Sequence, residues 1–341
     1  MKSAVLYASH DLKIEERDIP PVGSGELRVK VMASGVCGTD VHIFEGDQGA
    51  TDVSFPTVLG HEYAGIVDEV GSEVKGFKAG DRVCIDPNVL CGHCYYCLNG
   101  IGHFCENMVV SGVGLDGGFG QYAVVPYRAA YHIGENVSFE AGAMAEPLAC
   151  CLHGIDMCNI QAGDNVVVMG GGLIGLLMLQ LAKLHGAAQV VLLEPAPDKR
   201  AFGQSLGADL CLDPLTTDVK AALKEAGIHR VNAVIECVGK PQTIEQAIDI
   251  AGKKSVVMMF GLTKPEETIS ILPFEIFRKE VEIKSSFINP YTIGRAVDLI
   301  NRGKIDVSSM IAEVIPLERL AEVLSDETLR SRGKFIVAPW Q

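Results

Sequence analysis

Four thiols fall within one short stretch of the chain, Cys91-Gly92-His93-Cys94-Tyr95-Tyr96-Cys97 followed by Cys105. Two-residue gaps let neighbouring thiolates converge on one tetrahedral ion, and the longer gap lets the chain loop round to the fourth corner. Such a closed, soft set suits zinc and leaves no position for water, so this site is structural rather than catalytic. His93 and His103 lie in the same lobe, but four thiolates already fill the sphere. A second set is open. Cys37-Gly38-Thr39-Asp40-Val41-His42 puts a lone thiol beside a hydroxyl and an imidazole, and Gly60-His61-Glu62 puts an imidazole beside a carboxylate. Cys, His and Glu together bind zinc while leaving a place for water or a substrate oxygen. Taken singly, each has a plainer reading as a core thiol or a hydrogen-bonded structural imidazole.

A third constellation is Gly170-Gly171-Gly172-Leu173-Ile174-Gly175. Its first glycines permit a tight turn and close backbone approach to a pyrophosphate, whose charge then sits on the N-terminus of the helix opened by Leu173 and Ile174. The motif follows an apolar strand, Val166 to Met169, and is answered by Glu194 at the end of the next strand. There a carboxylate binds the adenosine ribose hydroxyls and repels a 2′-phosphate, which favours NAD over NADP. Lys199 and Arg200 stand close by, where a cation would accept that phosphate; as solvated helix charges they would not.

These groups need two kinds of scaffold. Up to about Ala149 the chain reads as short β-like segments broken by Gly, Pro and Asp, which predicts a mostly-β domain. Near Asn165 the pattern changes to apolar strands alternating with helical stretches, the signature of βαβ units around a parallel sheet. After Lys284 it changes back. The expected division is 1–151 with 284–341 for the metal-binding catalytic domain and 152–283 for the nucleotide-binding domain.

The 341 residues carry a formal net charge of −14, which offers no basic surface to a nucleic acid. No apolar run is long enough for a membrane span, and the stretch Met1 to Tyr7 lacks the features of a signal peptide, so a cytoplasmic location is expected. In that compartment the eleven cysteines are read for metal binding or packing rather than as a disulfide framework.

The stretch Gly60-His61-Glu62-x-x-Gly65, running on to Gly71 and Val74, resembles the zinc signature of the medium-chain alcohol dehydrogenases. The Cys91 to Cys105 lobe resembles that family's structural-zinc loop, and the nucleotide motif follows in the family's order. The resemblance covers essentially the whole chain. It implies an α/β architecture, with a GroES-like mostly-β catalytic domain and a doubly wound Rossmann domain, and two zinc ions, one catalytic and one structural. It assigns Cys37 and His61 as catalytic-zinc ligands, with Glu62 a ligand that comes and goes.

Where the best-known members have a second cysteine, this chain reads Ala145-Glu146-Pro147-Leu148, which resembles the sorbitol and threonine dehydrogenase branch. There that Glu binds the metal directly or through its water; Cys150 and Cys151 follow closely as alternative thiol ligands. Thr39 would take the alcohol proton and His42 would pass it to solvent, while Asp40 would hold His61. Val238, in Glu236-Cys237-Val238-Gly239, falls in the segment that lines the cofactor near its nicotinamide end.

The branch implies NAD-linked oxidation of a secondary alcohol, a polyol with or without phosphate, to a ketone by a homo-tetramer. Threonine oxidation is the alternative within the branch, and a non-catalytic zinc-stabilised nucleotide-binding protein the alternative outside it. A zinc-free quinone reductase of the same superfamily would lack both metal motifs. Phe119 is a candidate apolar wall for the substrate. The Ser285 to Tyr291 segment offers polar groups, and Arg295 a cation for a phosphate.

Overall fold

The computed structural model describes residues 1–47 and 53–341. Its chain forms two compact units, Met1–Ala149 with Asn289–Gln341, and Cys150–Ile288. The second unit runs to 288 rather than stopping at 283. The reason is physical: strand Glu282–Ser285 pairs parallel with Val256–Met259 and so completes the sheet of that unit.

The first unit is built mainly on a seven-stranded sheet. Its long strand Glu26–Gly35 pairs antiparallel with Glu62–Val70, Tyr122–Pro126 and Lys334–Val337. Alternate residues of the long strand, Leu27, Val29 and Val31, are fully buried in an apolar cluster, against Tyr63, Val67, Val83 and Val125. That period-two burial is what the sequence alternation of a half-buried strand dictates. Lys334–Val337 also pairs parallel with Ile311–Ile315, so the C-terminal segment supplies one interior strand and one edge strand of the sheet. Phe335 and Val337 enter another apolar cluster of the unit, with Leu6, Ile43, Leu59, Phe119 and Leu320.

The second unit is a six-stranded parallel sheet. Counted within the unit, its strands lie in the order 3-2-1-4-5-6. Strand Asn165–Met169 is central, flanked by Gln189–Leu193 and Ala233–Glu236, and its interior is buried on both faces. The strand order therefore reverses beside Asn165–Met169. Crevices at such switch points, at the carboxyl ends of the strands, are where ligands bind in open parallel sheets.

Helix Leu173–Leu184 packs close over this strand because residue 175 has no side chain; a Cβ there would strike the Gly170 carbonyl oxygen. Gly175→Ala is therefore expected to lower unfolding stability by about 1–3 kcal/mol, the usual cost of overpacking. Urea denaturation measures it, with an unchanged midpoint as the contrary result.

Candidate metal and nucleotide sites

The four cysteines of the lobe converge, with their sulfur atoms all within 4.8 Å of one another. Cys94 caps the short helix Tyr95–Leu98, Cys97 lies within it, and Cys105 ends the turn Gly102–Phe104. The backbone of His93 and Cys94 bonds to the Cys91 sulfur and pulls its pKa down to about 6, while burial pushes Cys97 up to about 12. Four sulfurs so close, with amide donors turned onto them, form a donor set that fits a zinc ion.

The open set converges too. Single donor atoms of Cys37, His61 and Glu62 lie within 4.8 Å of one another. Cys37 stands at the start of helix Gly38–Glu45, and Glu62 begins strand Glu62–Val70. The fully buried carboxylate of Asp40 joins these elements. It accepts from the Cys37 N–H at 2.8 Å and the Gly60 N–H at 3.3 Å, and lies 3.4 Å from His61 Nδ1. Burial works against a charged His61, but the negative charges of Asp40 and Cys37 outweigh it and raise the imidazole well above its ordinary pKa. Surroundings that favour a proton there favour any cation, and a thiol, imidazole and carboxylate in contact fit zinc.

Glu146, in the first turn of helix Ala145–Cys158, is buried but lies outside the three-donor group. Cys150 and Cys151 lie outside it as well, and the Cys151 sulfur faces the Ile174 carbonyl at 4.0 Å. Thr39 Oγ1 is 3.9 Å from the Cys37 sulfur. His42 follows one turn later on the same helix; its side chain is 45% exposed, with Nδ1 3.6 Å from Asp47.

One group at this site escaped the sequence reading. Lys334 is 4% exposed, donates to the Val36 carbonyl at 2.9 Å and forms an ion pair with Glu62. Its signal was a lysine opening the apolar run Phe335-Ile336-Val337, which reads as an ordinary strand end. Phe119 is fully buried in the core rather than forming a substrate wall. Asn289 is buried with its amide bonded to Asp86 and Asn88.

In the second unit Gly170 has φ +100, a left-handed turn that suits glycine, and Gly172 stands at the helix start with open space where a Cβ would be. Leu173 and Ile174 are half-buried beside it. That open helix start fits a pyrophosphate. The Glu194 carboxylate accepts from the Gly171 N–H at 2.6 Å and the Ala196 N–H at 2.8 Å, tying the glycine turn to the turn after Gln189–Leu193. Arg200 Nη1 donates to the carbonyls of Glu194 and Pro195, both at 2.7 Å, and so braces that turn. Val238 is 40% exposed, and its side chain would lie 3.0 Å from a Cβ at Gly170. Fully buried Glu236 fixes this loop by accepting from the Val238 and Gly239 N–H groups and the Thr243 hydroxyl.

Comparison with known proteins agrees with this architecture. Residues 23–138 match the family of alcohol dehydrogenase GroES-like domains, and residues 174–302 match the zinc-binding dehydrogenases. The chain belongs to the zinc-dependent medium-chain alcohol dehydrogenase family, oxidoreductases that pair a GroES-like domain with a Rossmann-type domain.

Among its relatives, D-arabinitol dehydrogenase 1 of Uromyces fabae is 32% identical over 99% of this chain and 97% of its own. L-threonine 3-dehydrogenase of Pyrococcus furiosus is 32% identical over 91% of this chain and 89% of its own. A crystal structure titled as a zinc-binding dehydrogenase from Sinorhizobium meliloti, bound to NADP, is 38% identical with a TM-score of 0.95, covering 99% of both chains. Elemental analysis of the purified protein is expected to give two zinc ions per chain, falling to one in Cys105→Ser; an unchanged content would show that the lobe is not a metal site.

Proposed function

We propose that this protein is a zinc-dependent, NAD-linked dehydrogenase that oxidises a secondary hydroxyl of a polyol to the ketone. The observation that carries the reading is the convergence of Cys37, His61 and Glu62, a mixed donor set with no fourth protein ligand among the described residues within the same reach. Zinc held there by Cys37 and His61 would supply a Lewis acid that eases loss of the hydroxyl proton, and NAD would take the hydride from the carbon that bears that hydroxyl. Glu146, buried but outside the donor group, would act through a water rather than as a direct ligand.

The chain's own residues then handle the proton. Thr39, beside the Cys37 sulfur, receives it, and His42, one helical turn on and half exposed, delivers it to solvent. Asp40 keeps the Cys37 and His61 segments together while this happens. On the cofactor, the open start of helix Leu173–Leu184 receives the pyrophosphate and Val238 lines the nicotinamide side. Glu194 disfavours a 2′-phosphate, which supports NAD, and Arg200 is engaged with main-chain carbonyls. The Sinorhizobium relative carries NADP, so the cofactor preference calls for its own measurement.

The D-arabinitol dehydrogenase relative supports the polyol class, and the threonine dehydrogenase relative supports threonine as the second reading. We also propose a homo-tetramer. Exposed Leu272, Phe274 and Phe277, in the unit whose edge strand is Glu282–Ser285, offer apolar surface for association.

Three measurements check these statements. NAD and NADP reduction on a panel of pentitols, hexitols, their phosphates, threonine and primary alcohols is expected to favour a polyol with NAD; preference for a primary alcohol sinks the reading, and preference for threonine moves it to the second. Cys37→Ser is expected to abolish turnover with NAD affinity nearly intact, whereas joint loss would indicate misfolding. Sedimentation as a stable monomer would remove the tetramer.

A further inference from the structure

Glu62 and Lys334 come from strands that do not touch. Strand Glu26–Gly35 lies between them, pairing with Glu62–Val70 on one side and Lys334–Val337 on the other. The two side chains meet over Gly35, which is paired with Glu62 on one side and Ile336 on the other. A Cβ on residue 35 would strike the Glu62 carboxylate and come within 2.7 Å of Lys334 Cε. The absence of a side chain at Gly35 is therefore what allows a buried ion pair to bridge the middle of the sheet.

Burying an ammonium costs several kcal/mol unless a fixed partner compensates it, and Lys334 has two, the Glu62 carboxylate and the Val36 carbonyl. Glu62 in turn belongs to the donor group with Cys37 and His61. Its carboxylate is thus shared between the Lys334 ammonium and the candidate metal position.

We infer that Lys334 is a positioning residue that competes with the metal for the Glu62 carboxylate and so sets how firmly Glu62 ligates. An anion shared with a buried ammonium is a weaker ligand than one whose sole cationic partner is the metal. With Lys334 in place, Glu62 yields its coordination position to a substrate oxygen. Without it, the carboxylate closes that position. The inference rests on the zinc reading above, and it gives the chain's last site residue a role no zinc motif records.

The test uses the full-length protein loaded with cobalt(II), whose visible absorption reports coordination, and chelator competition for the open site, with no substrate present. Lys334→Met keeps the side-chain length and removes the charge. It is expected to tighten cobalt binding about tenfold, opposite in sign to the roughly 10–100-fold loss usual when a group that supports a ligand is removed, and to shift the visible spectrum. Lys334→Arg should restore the wild-type spectrum, and the double variant Lys334→Met with Glu62→Gln should lose the gain.

Unchanged or weaker binding in Lys334→Met overturns the inference, as does a gain that survives Glu62→Gln. Should Lys334→Met fail to fold, Glu62→Gln alone decides: a nearly unaltered resting spectrum supports a carboxylate held by Lys334, and a large change overturns it. Failure of the wild-type open site to bind metal overturns the zinc reading as well, whereas binding indifferent to Lys334 overturns this inference alone.

Discussion

A carboxylate with no access to water must find its partners within the protein, and at Asp40 those partners are the parts of the candidate metal site. Its two oxygens draw in the Cys37 amide and the Gly60 amide and lie beside His61. One unsatisfied buried charge would cost more than most single interactions contribute, so the helix start and the segment leading into strand Glu62–Val70 are held together by necessity. The thiol and the imidazole are then neighbours as a by-product of satisfying Asp40. Glu62 follows His61 into the strand and meets Lys334 there, so three buried charged side chains occupy one small region of the sheet.

The nucleotide unit uses the same device. Glu194 and Glu236 are both buried acids at the carboxyl ends of parallel strands, and both accept backbone N–H groups from the turns beside them. Each fixes a turn whose shape would otherwise be left to a few glycines. The glycine turn and the Val238 loop, which face each other across the point where the strand order reverses, are thus both anchored by carboxylates.

Much of this was legible in the sequence because it depends on short-range spacing. The cysteine lobe closes within fifteen positions, the glycine motif within six, and the shift from β-like to alternating texture near Asn165 marks the parallel sheet. What escaped depends on long-range pairing. Nothing near Lys334 in the chain announces that its strand will lie across Gly35 from Glu62. The boundary read near Lys284 falls inside strand Glu282–Ser285, because a short, mixed-polarity edge strand looks like a change of texture. Glu194 was recognised by its position, but not its two backbone bonds, which require the neighbouring turns to be folded. Phe119 illustrates the converse: an aromatic among glycines reads as a pocket wall, yet its ring is buried in the core, where the missing side chain at the distant Gly60 leaves it room.

The interior position of strand Lys334–Val337 bears on how the protein is made. Chains emerge from the ribosome at about 5–20 residues per second and domains fold as units. The cysteine lobe is local and has all its ligands within a few seconds of synthesis, and residues 150–288 are continuous and complete before the final strands appear. The candidate open metal site is different, since the Lys334 bond to Val36 spans 298 positions of sequence. For tens of seconds, Cys37, His61 and Glu62 exist on a nascent chain whose central sheet lacks an interior strand. Translation therefore imposes an order in which the cysteine lobe and the nucleotide unit are complete first, and the unit that holds the candidate open metal site becomes whole only after strand Lys334–Val337 has been made.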